Sequence, residues 1–391
     1  MVQKSLLALA MGGLAIGMTE FSMMGVLEDF AKDLNISIPT AGNFISMYAM
    51  GVMVGAPTLI MATSKYSPKK VLIFYMLLFT IFNALFVIAP SYNTLLIARF
   101  MSGLPHGAFF GVGSVVAAQL ATKGKEAQAI SIMFAGLTFA NLVGVPLGTK
   151  LGQVFSWRLT FGIITSLGLV TMLAISLWIP NLKNTNKGSL KEQLSFFKKW
   201  EAWVLILMIS IGTSGLFAWI SYISPLMTNV ADLPKAKVPI IMTLIGLGMF
   251  VGNFIGGKLA DTMSPNKAAI ISFSAMALCL VVVYFTSHNE IMAYFMSFIT
   301  GLIAFTIGSP IQMMLIKNGK GSETLAAAAG QASFNVGNAL GAFLGGIPIA
   351  MGLGYNSQLW VGFIMASVGA IIACVFLSLK SKKLQINKYF K

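Results

Sequence analysis

Two charged side chains interrupt the long apolar stretches of this sequence. Glu20 lies in the first stretch and Arg99 in the fourth. A charge at the centre of a bilayer costs at least ~2.5–3.5 kcal/mol on insertion scales, so a chain keeps one only where a partner or a water-lined cavity compensates. Burial disfavours the charged form of a carboxyl group, whereas a nearby guanidinium favours it. The two residues therefore either carry a proton or form a static salt bridge.

The spacing of these residues places them at similar depths. Glu20 lies seven residues before the predicted outer end of its helix, and Arg99 five residues after the start of its own. These spacings correspond to roughly 10 Å and 8 Å, so we expect the side chains to meet in the outer leaflet. His106 follows Arg99 by two helical turns on the same face. It is expected to relay protons or bind substrate, or else to pack against a close helix.

Further polar groups inside apolar stretches need hydrogen-bond partners. We expect some of them to line a substrate cavity, although a phenol or an indole fits a packing or interfacial role equally well. The six candidates are Tyr48, Asn141, Trp219, Asn253, Asn335 and Asn338.

The composition argues against most other functions. The chain is 57% hydrophobic and 9% charged, with a mean hydropathy of +0.84, which is more apolar surface than a soluble fold can bury. Cys279 and Cys374 sit in apolar runs, and the two histidines are far apart, so we expect no disulfide, no metal site and no cofactor. The sequence has no nucleophile–base pair and no phosphate-binding loop, and we expect no enzyme.

Apolar stretches of about twenty residues can cross a bilayer as helices. With the N-terminus inside, 19 of the 26 basic residues fall in inner gaps and tails and five outside, whereas Arg99 and Lys258, the latter near an inner helix end, lie within spans. This excess predicts that both termini are cytoplasmic and explains the net charge without nucleic acid. The twelve predicted spans are roughly 5–27, 40–62, 71–89, 94–118, 127–149, 159–180, 202–224, 238–260, 268–286, 291–315, 323–349 and 358–379.

A shift of 197 residues reveals an internal repeat. The segment GVMVG (51–55) falls on GMFVG (248–252). Such a repeat indicates two homologous six-helix halves in parallel orientation that rock around a central site. The remaining matches are Ser67, Pro68 and Lys70 on Ser264, Pro265 and Lys267, and Asn141, Gly144 and Gly148 on Asn338, Gly341 and Gly345.

The repeat also predicts the domain organisation. At the same offset Glu20 falls on Phe217 and Arg99 on Met296, so the second half lacks both charges. Leu190, Leu194 and Phe197 recur at helical spacing among lysines, which favours either a short interfacial helix or a solvated linker. The predicted parts are an N-terminal bundle (1–180), a basic cytoplasmic linker (181–200), a C-terminal bundle (201–380) and a basic cytoplasmic tail (381–391).

Four segments of the first half resemble the major facilitator superfamily, in particular its sugar-efflux, purine-efflux and chloramphenicol-resistance permeases. They are GMTEFSMMGVL (17–27), AGNFISMYAMGVMVGAP (41–57), ARFMSGLPHGAFFGVGSVVAAQL (98–120) and LVGVPLGTKLGQVFSWRLTF (142–161). The resemblance implies an all-α membrane protein of twelve transmembrane helices in two pseudo-symmetric six-helix bundles. It also implies a cavity between the halves, lined mainly by helices 1, 4, 7 and 10, and export driven by protons.

Two family signatures are altered in this chain, the loop between helices 2 and 3 and the antiporter signature of helix 5. The family's antiporter signature normally reads Gly-Pro followed by a glycine pair, whereas this chain has GVPLGT (144–149). The loop between helices 2 and 3 lacks the family's acidic residue and has Ser64 and Lys69 nearby, whereas the second half keeps an acid in GGKLAD. The glycines of helix 5, echoed on helix 11, are expected to give tight helix contacts between the halves that limit proton leak. The candidate gating and packing residues are Lys70, Gly144, Pro146, Gly148, Asp261 and Lys267.

Together these features predict a secondary transporter that exports small organic molecules of the drug, sugar or nucleoside class in exchange for protons, by alternating access. The alternative is a proton symporter or facilitator for uptake. The expected partners are the solute, protons and the lipid bilayer, without nucleic acid. We expect a monomer in the bacterial inner membrane.

Overall fold

The chain is helical throughout, without a strand, over residues 2–122, 126–182, 194–319 and 322–389, which are the residues that the computed structural model describes. Within them, eleven helical stretches are long and apolar enough to cross a membrane. The remaining predicted span corresponds to a helix of 28 residues, Glu323–Ala350.

The first half contains six spanning helices. The fifth is interrupted by one π-helical turn, Ala140–Gly144. The helices are α1 (Val2–Gly25), α2 (Leu27–Asp33), α3 (Ile38–Thr63), α4 (Pro68–Ile88), α5 (Tyr92–Leu120), α6 (Glu126–Phe139), α7 (Val145–Val154) and α8 (Trp157–Trp178), with α2 as a short connection and α6 and α7 forming the interrupted span.

The second half repeats this order. Short 3₁₀ turns, Leu194–Lys198 and Lys235–Lys237, precede its first and second spanning helices. The helices are α9 (Trp200–Ile220), α10 (Ile223–Asn229), α11 (Val238–Thr262), α12 (Pro265–Thr286), α13 (Glu290–Thr306), α14 (Gly308–Asn318), α15 (Glu323–Ala350) and α16 (Gln358–Tyr389), with α10 as the short connection and α13 and α14 forming one span.

Several helix ends differ from the sequence prediction. The helical backbone of α16 continues to Tyr389, because residues 381–389 contain neither glycine nor proline and consist mostly of good helix formers.

Most of the predicted linker, including Leu190, lies outside the described residues, as do residues 390–391 of the predicted tail.

The two halves repeat the same local structure. Ser67 and Ser264 precede the equivalent prolines with φ and ψ of −67° and 140° and of −66° and 139°. Glycines let α3 pack against the backbone of α5, and α11 against that of α13, because a Cβ at these positions would overlap a carbonyl oxygen. The matching contacts are Gly51 with Phe100, Gly55 with Leu104, Gly248 with Phe298 and Gly252 with Leu302.

This packing corrects one detail of the repeat. The partners on α5 and α13, Phe100 and Phe298, are 198 residues apart, one more than the offset of the glycines. The counterpart of Arg99 is therefore Ser297, and the expected match to Met296 is wrong by one residue. Ser297 is buried and uncharged, so the second half still lacks a basic residue here.

The halves are joined at the end where α2 and α10 lie, which we call the α2–α10 end. Glu28 accepts hydrogen bonds from the hydroxyl of Thr228 and the amide of Asn229. Asp29 forms a salt bridge with Lys235, with 2.6 Å between Nζ and Oδ1. Side-chain contacts from one half to the other therefore close the molecule at this end.

Further contacts between the halves lie along α3 and α15, closer to the middle of the molecule than the α2–α10 end. The Ser46 hydroxyl donates to the carbonyl of Ala339 at 3.1 Å, and a Cβ at Gly42 would overlap the phenol oxygen of Tyr222. On α11, a Cβ at Gly246 would overlap the carbonyl oxygen of Asn141 in the π turn. Close contacts thus seal the halves along two helix pairs.

Candidate functional site

Glu20 lies on a tightly packed part of α1. Its side chain is 4% exposed. A Cβ at Gly13 would lie 2.7 Å from the carbonyl oxygen of Met133, and one at Gly17 would lie 2.7 Å from the Cβ of Ala140. Only glycine permits these contacts with α6 and the π turn, so the packing of α1 fixes the position of the acid.

Arg99 is fully buried inside the first half. Its Nη1 donates to the carbonyl and the hydroxyl of Thr19, both at 3.2 Å, and its Nε donates to the carbonyl of Phe44 at 3.4 Å. Its Nη2 has no hydrogen-bond partner among the described residues. Donors that reach backbone carbonyls compensate part of the cost of burying the charge.

Three aromatic rings complete the surroundings of Arg99. The guanidinium carbon lies 4.3 Å from the centre of the Tyr48 ring, 5.4 Å from that of Phe161 and 5.5 Å from that of Phe86. Rings at these distances attract a cation through their negative faces. These contacts stabilise the positive charge although Arg99 forms no direct salt bridge with a carboxylate among the described residues.

Glu20 pairs across the halves and not with Arg99. Its Oε1 accepts a hydrogen bond from Nδ2 of Asn338 on α15 at 3.3 Å. Glu20 and Arg99 interact electrostatically, but the salt bridge found among the described residues is the one between Asp29 and Lys235. The expected direct meeting of the two charges is thus absent from this conformation, and so is a static salt bridge between α1 and α5.

His106 lies two turns along α5 from Arg99 but is 2% exposed and does not line an open cavity. Its Nδ1 is 3.1 Å from the hydroxyl of Tyr48. The ring of Tyr48 lies between His106 and Arg99, since it also contacts the guanidinium. These three side chains form one connected group between α3 and α5.

The other polar candidates are divided between the centre and the periphery. Asn335 is buried on α15, one turn from Asn338, and its Nδ2 donates to the carbonyl of Gln331. Asn141 is buried in the π turn, and its Nδ2 has no partner among the described residues. Asn253 is exposed on α11 and does not join this cluster.

Trp219 lies apart from the central group, in a cleft within the second half. The indole is 1% exposed, and its Nε1 has no partner in the described part of the chain. The cleft also contains Met227, Thr286, Ser287 and Ser297. Its walls belong to α9, α10, α12 and α13, so it is not a cavity between the halves.

The candidate gating residues occupy two environments. Lys70 and Lys267 are exposed in the first turns of α4 and α12. Asp261 lies near the end of α11, and its side chain is outside the described atoms. Pro146 is buried at the start of α7.

The helix 5 and helix 11 glycines pack differently from our expectation. A Cβ at Gly144 would lie 2.7 Å from Cγ of Met18, and one at Gly148 would lie 3.2 Å from the hydroxyl of Ser22, both on α1 of the same half. Gly341 likewise faces Phe217 on α9. These glycines therefore tighten each half internally, and Gly42 and Gly246 make the contacts between halves.

Sequence reasoning missed part of the site. The Thr19 hydroxyl, which accepts from Arg99, donates to Oδ1 of Asn83 at 2.8 Å. Asn83 is fully buried on α4. Asn83 is a single amide within an apolar span, as the candidate asparagines are, so the same criterion could have identified it. Phe86 and Phe161 carried no such signal, because 29 phenylalanines look alike in the sequence.

The site brings a titratable group and fixed polar groups together away from solvent. The carboxyl group of Glu20 is buried, interacts electrostatically with Arg99 and accepts a hydrogen bond from Asn338 of the other half. Among the described residues no cluster of potential ligands is arranged for a metal ion. The site thus consists of a buried carboxyl group with hydrogen-bonding and charged neighbours, in a membrane-embedded, two-half helical fold of the transporter class.

Comparison with known proteins identifies the family. Residues 9–330 match the Major Facilitator Superfamily, and the chain belongs to this family of membrane transporters. It is 40% identical to AraJ of Escherichia coli over 91% of this chain and 90% of that protein. It is 37% identical to the inner membrane transport protein YdhP of Escherichia coli, over 96% of each chain.

Two further comparisons are more distant. A protein of Helicobacter pylori named "Probable sugar efflux transporter" is 28% identical over 93% of each chain. The crystal structure of a bacterial homolog to the human lysosomal transporter Spinster, in an inward-facing and unoccupied conformation, superposes with a TM-score of 0.72 and 16% identity, over 96% of each chain. At this identity the likeness establishes the fold alone, and the multi-pass helical architecture is confirmed.

Proposed function

We propose that this chain exports small organic molecules across the bacterial inner membrane in exchange for protons, and that Glu20 carries the proton. The observation behind the proposal is a carboxyl group, 4% exposed, bonded across the halves to Asn338. A membrane protein keeps such a group where it has a function. Drugs, sugars and nucleosides are the candidate solutes, and the Helicobacter relative favours sugars for a first test.

The proposed cycle uses both faces of the site. With the α2–α10 end open, Glu20 takes a proton from outside. Closure of that end then exposes the site to the opposite side. There, solute binding releases the proton to the cytoplasm, and the halves rock back with the solute. Each charge moved through 100 mV supplies ~2.3 kcal/mol, which is enough for tens-fold accumulation.

The orientation in this proposal places the α2–α10 end outside. It rests on the excess of lysine and arginine at the opposite end, which favours cytoplasmic termini. Partial exposure of side chains on α1 and α5 toward the opposite end supports an inward-opening state. Met11, Leu14 and Ser114 are half-buried, whereas Thr19 and Glu20 are buried.

Arg99 and His106 have supporting roles in the proposal. Arg99 stabilises the ionised form of Glu20 by its charge. His106 acts through Tyr48, whose ring it orients over the guanidinium. The chain is proposed to work as a monomer, since one copy contains every residue named.

The test is solute counterflow driven by a pH gradient in proteoliposomes. A screen with a purine, sugar and drug panel in a pump-deficient host first supplies a transported solute. Glu20→Gln removes the titratable group, and we expect pH-driven accumulation to disappear while exchange of solute without a gradient continues. Glu290→Gln, the same change at an exposed acid, is the control. Undiminished coupled transport by Glu20→Gln would refute the role.

Solute accumulation in cells of the pump-deficient host distinguishes export from uptake. Export lowers the amount of labelled solute that cells accumulate, whereas a proton symporter or facilitator for uptake raises it. Every residue named above serves either direction, so a raised amount would support the alternative and leave the proton site in place.

A further inference from the structure

We infer that Asn338 is the residue through which the second half detects the protonation state of Glu20, an inference that rests on the proposed proton-coupling function. The hydrogen bond between them joins residues 318 positions apart in sequence. Both side chains are buried, at 0% and 4% exposure. The bond therefore connects the proton-binding group of one half directly to a spanning helix of the other.

Two polar atoms near Glu20 have no hydrogen-bond partner among the described residues. One is Nη2 of Arg99, which can only donate, and the other is Oδ1 of Asn338, which can only accept. An ionised carboxylate accepts hydrogen bonds, whereas a protonated carboxyl group also donates one. Arg99 thus offers a partner that suits the ionised form of Glu20, and Asn338 offers one that suits the protonated form.

This difference makes the partner of Glu20 depend on its proton. When protonated, Glu20 donates its O–H to Oδ1 of Asn338 while its other oxygen accepts from Nδ2, and these two bonds hold the halves closed. When ionised, Glu20 turns to Arg99 within its own half and releases Asn338. The other titratable groups facing this site are Tyr48 on α3, which interacts electrostatically with Glu20, and His106 behind it.

The internal repeat gives an independent comparison. Asn141 occupies the position in the first half that Asn338 occupies in the second, and Phe217 occupies the position of Glu20. Where the carboxyl group is replaced by phenylalanine, Nδ2 of the asparagine has no partner in the described chain. The bonded asparagine is thus the one that faces a titratable group.

The experiment measures closure of the α2–α10 end by the distance between two spin labels. Lys32 and Met351 are exposed at this end on opposite halves and accept the labels as cysteines, with exposed Cys374 replaced by serine. The ratio of open to closed molecules is measured in nanodiscs at about pH 5.5 and about pH 8.5, on either side of neutrality. Wild type is expected to be more closed at the lower pH.

Asn338→Leu should raise the open-to-closed ratio by roughly 30-fold at the lower pH, the effect of losing two buried hydrogen bonds, and leave it nearly unchanged at the higher pH. Ser46→Ala is the matched control, because it removes an inter-half bond without a titratable partner. Ser46→Ala should change the open-to-closed ratio equally at both pH values. Asn338→Gln keeps both polar atoms and should retain the pH difference.

An equal effect of Asn338→Leu at both pH values, or none, would overturn the inference while leaving Glu20→Gln to decide the proposed function. If Glu20→Gln also keeps the wild-type pH response, the proposed function fails and the inference fails with it. Should the leucine variant not fold, Asn338→Ala is measured in the same way.

Discussion

The two buried charges of the first half have separate hydrogen-bond partners. Arg99 uses two backbone carbonyls, a hydroxyl and three aromatic rings, and Glu20 uses an amide from the other half. Since the guanidinium is held by carbonyls, a hydroxyl and rings and forms no direct salt bridge, Glu20 can change its hydrogen-bond partner without leaving a bare cation behind. The proposed proton site requires this freedom, which a structural salt bridge would not give.

Tyr48 contributes both a ring and a hydroxyl, and two substitutions separate them. Tyr48→Phe keeps the ring over Arg99 but leaves Nδ1 of His106 without its partner, which should cost about 1 kcal/mol of stability. Tyr48→Leu also removes the ring and should cost about 1–2 kcal/mol more. Thermal unfolding in detergent, followed by dye binding, measures both. Equal losses would show that the ring contact with Arg99 contributes nothing.

Tyr48→Phe and Tyr48→Leu should also differ in pH-driven transport. Tyr48→Phe should keep pH-driven transport within about threefold of wild type, because the guanidinium retains its surroundings, whereas the leucine variant should lose most of it. Strong loss with phenylalanine alone would instead indicate that the hydroxyl and His106 take part in moving the proton.

At this scale the sequence revealed types of residue but not their partners. Glu20 and Arg99 were identified because a charge in an apolar span is conspicuous. Their actual contacts with Asn338, Thr19 and Phe44 depend on helix rotation and register, which a hydrophobic pattern does not specify. A backbone carbonyl such as that of Phe44 leaves no mark in a sequence at all.

The helices are positioned by glycines that bring backbones together. At Gly136 a Cβ would overlap the carbonyl oxygen of Ala10, so α6 and α1 are in contact at their main chains. At Gly162 on α8 a Cβ would meet nothing within 4 Å. Glycine is therefore required for close helix packing at position 136, whereas at position 162 a larger residue would fit.

Alanine substitution measures this difference. Gly136→Ala should lower stability by about 1–3 kcal/mol, because backbone cannot move aside as a flexible side chain does. Gly162→Ala should be neutral or stabilise by up to about 1 kcal/mol, since glycine is a poor helix former. Thermal unfolding of both variants is the measurement. Similar stabilities would contradict the close packing of α1 and α6.

Helix number and order were predictable because about twenty apolar residues in succession have few alternatives to a spanning helix. The π turn was not, because Ala140–Gly144 has no sequence feature that separates it from an ordinary turn of helix. The glycine stripes were recognised, but the pattern does not name the partner helix. Close packing was thus expected between the halves and occurs within each half.

Two glycines on α11 differ in how closely they approach neighbouring atoms. A Cβ at Gly246 on α11 would overlap the π turn of the other half. At Gly257 on the same helix, the atom nearest to an added Cβ would be the hydroxyl oxygen of Ser309, at 3.9 Å. A side chain added at Gly246 therefore obstructs closure of the molecule, and one added at Gly257 does not.

Gly246→Ala should leave each half folded but raise the open-to-closed ratio at the α2–α10 end by about tenfold or more. The spin labels at positions 32 and 351 report this ratio, and Gly257→Ala is the control on the same helix. A closed population equal to that of wild type would mean that the two backbones are not in contact in the closed state.

The most direct measurement of proton coupling counts protons when solute binds. Purified protein in weakly buffered detergent, with a pH-sensitive dye, should release about one proton per solute bound near neutral pH, because solute binding displaces the proton of Glu20. Glu20→Gln should bind solute and release none. Equal proton release by the two proteins would contradict the assignment of the proton to Glu20.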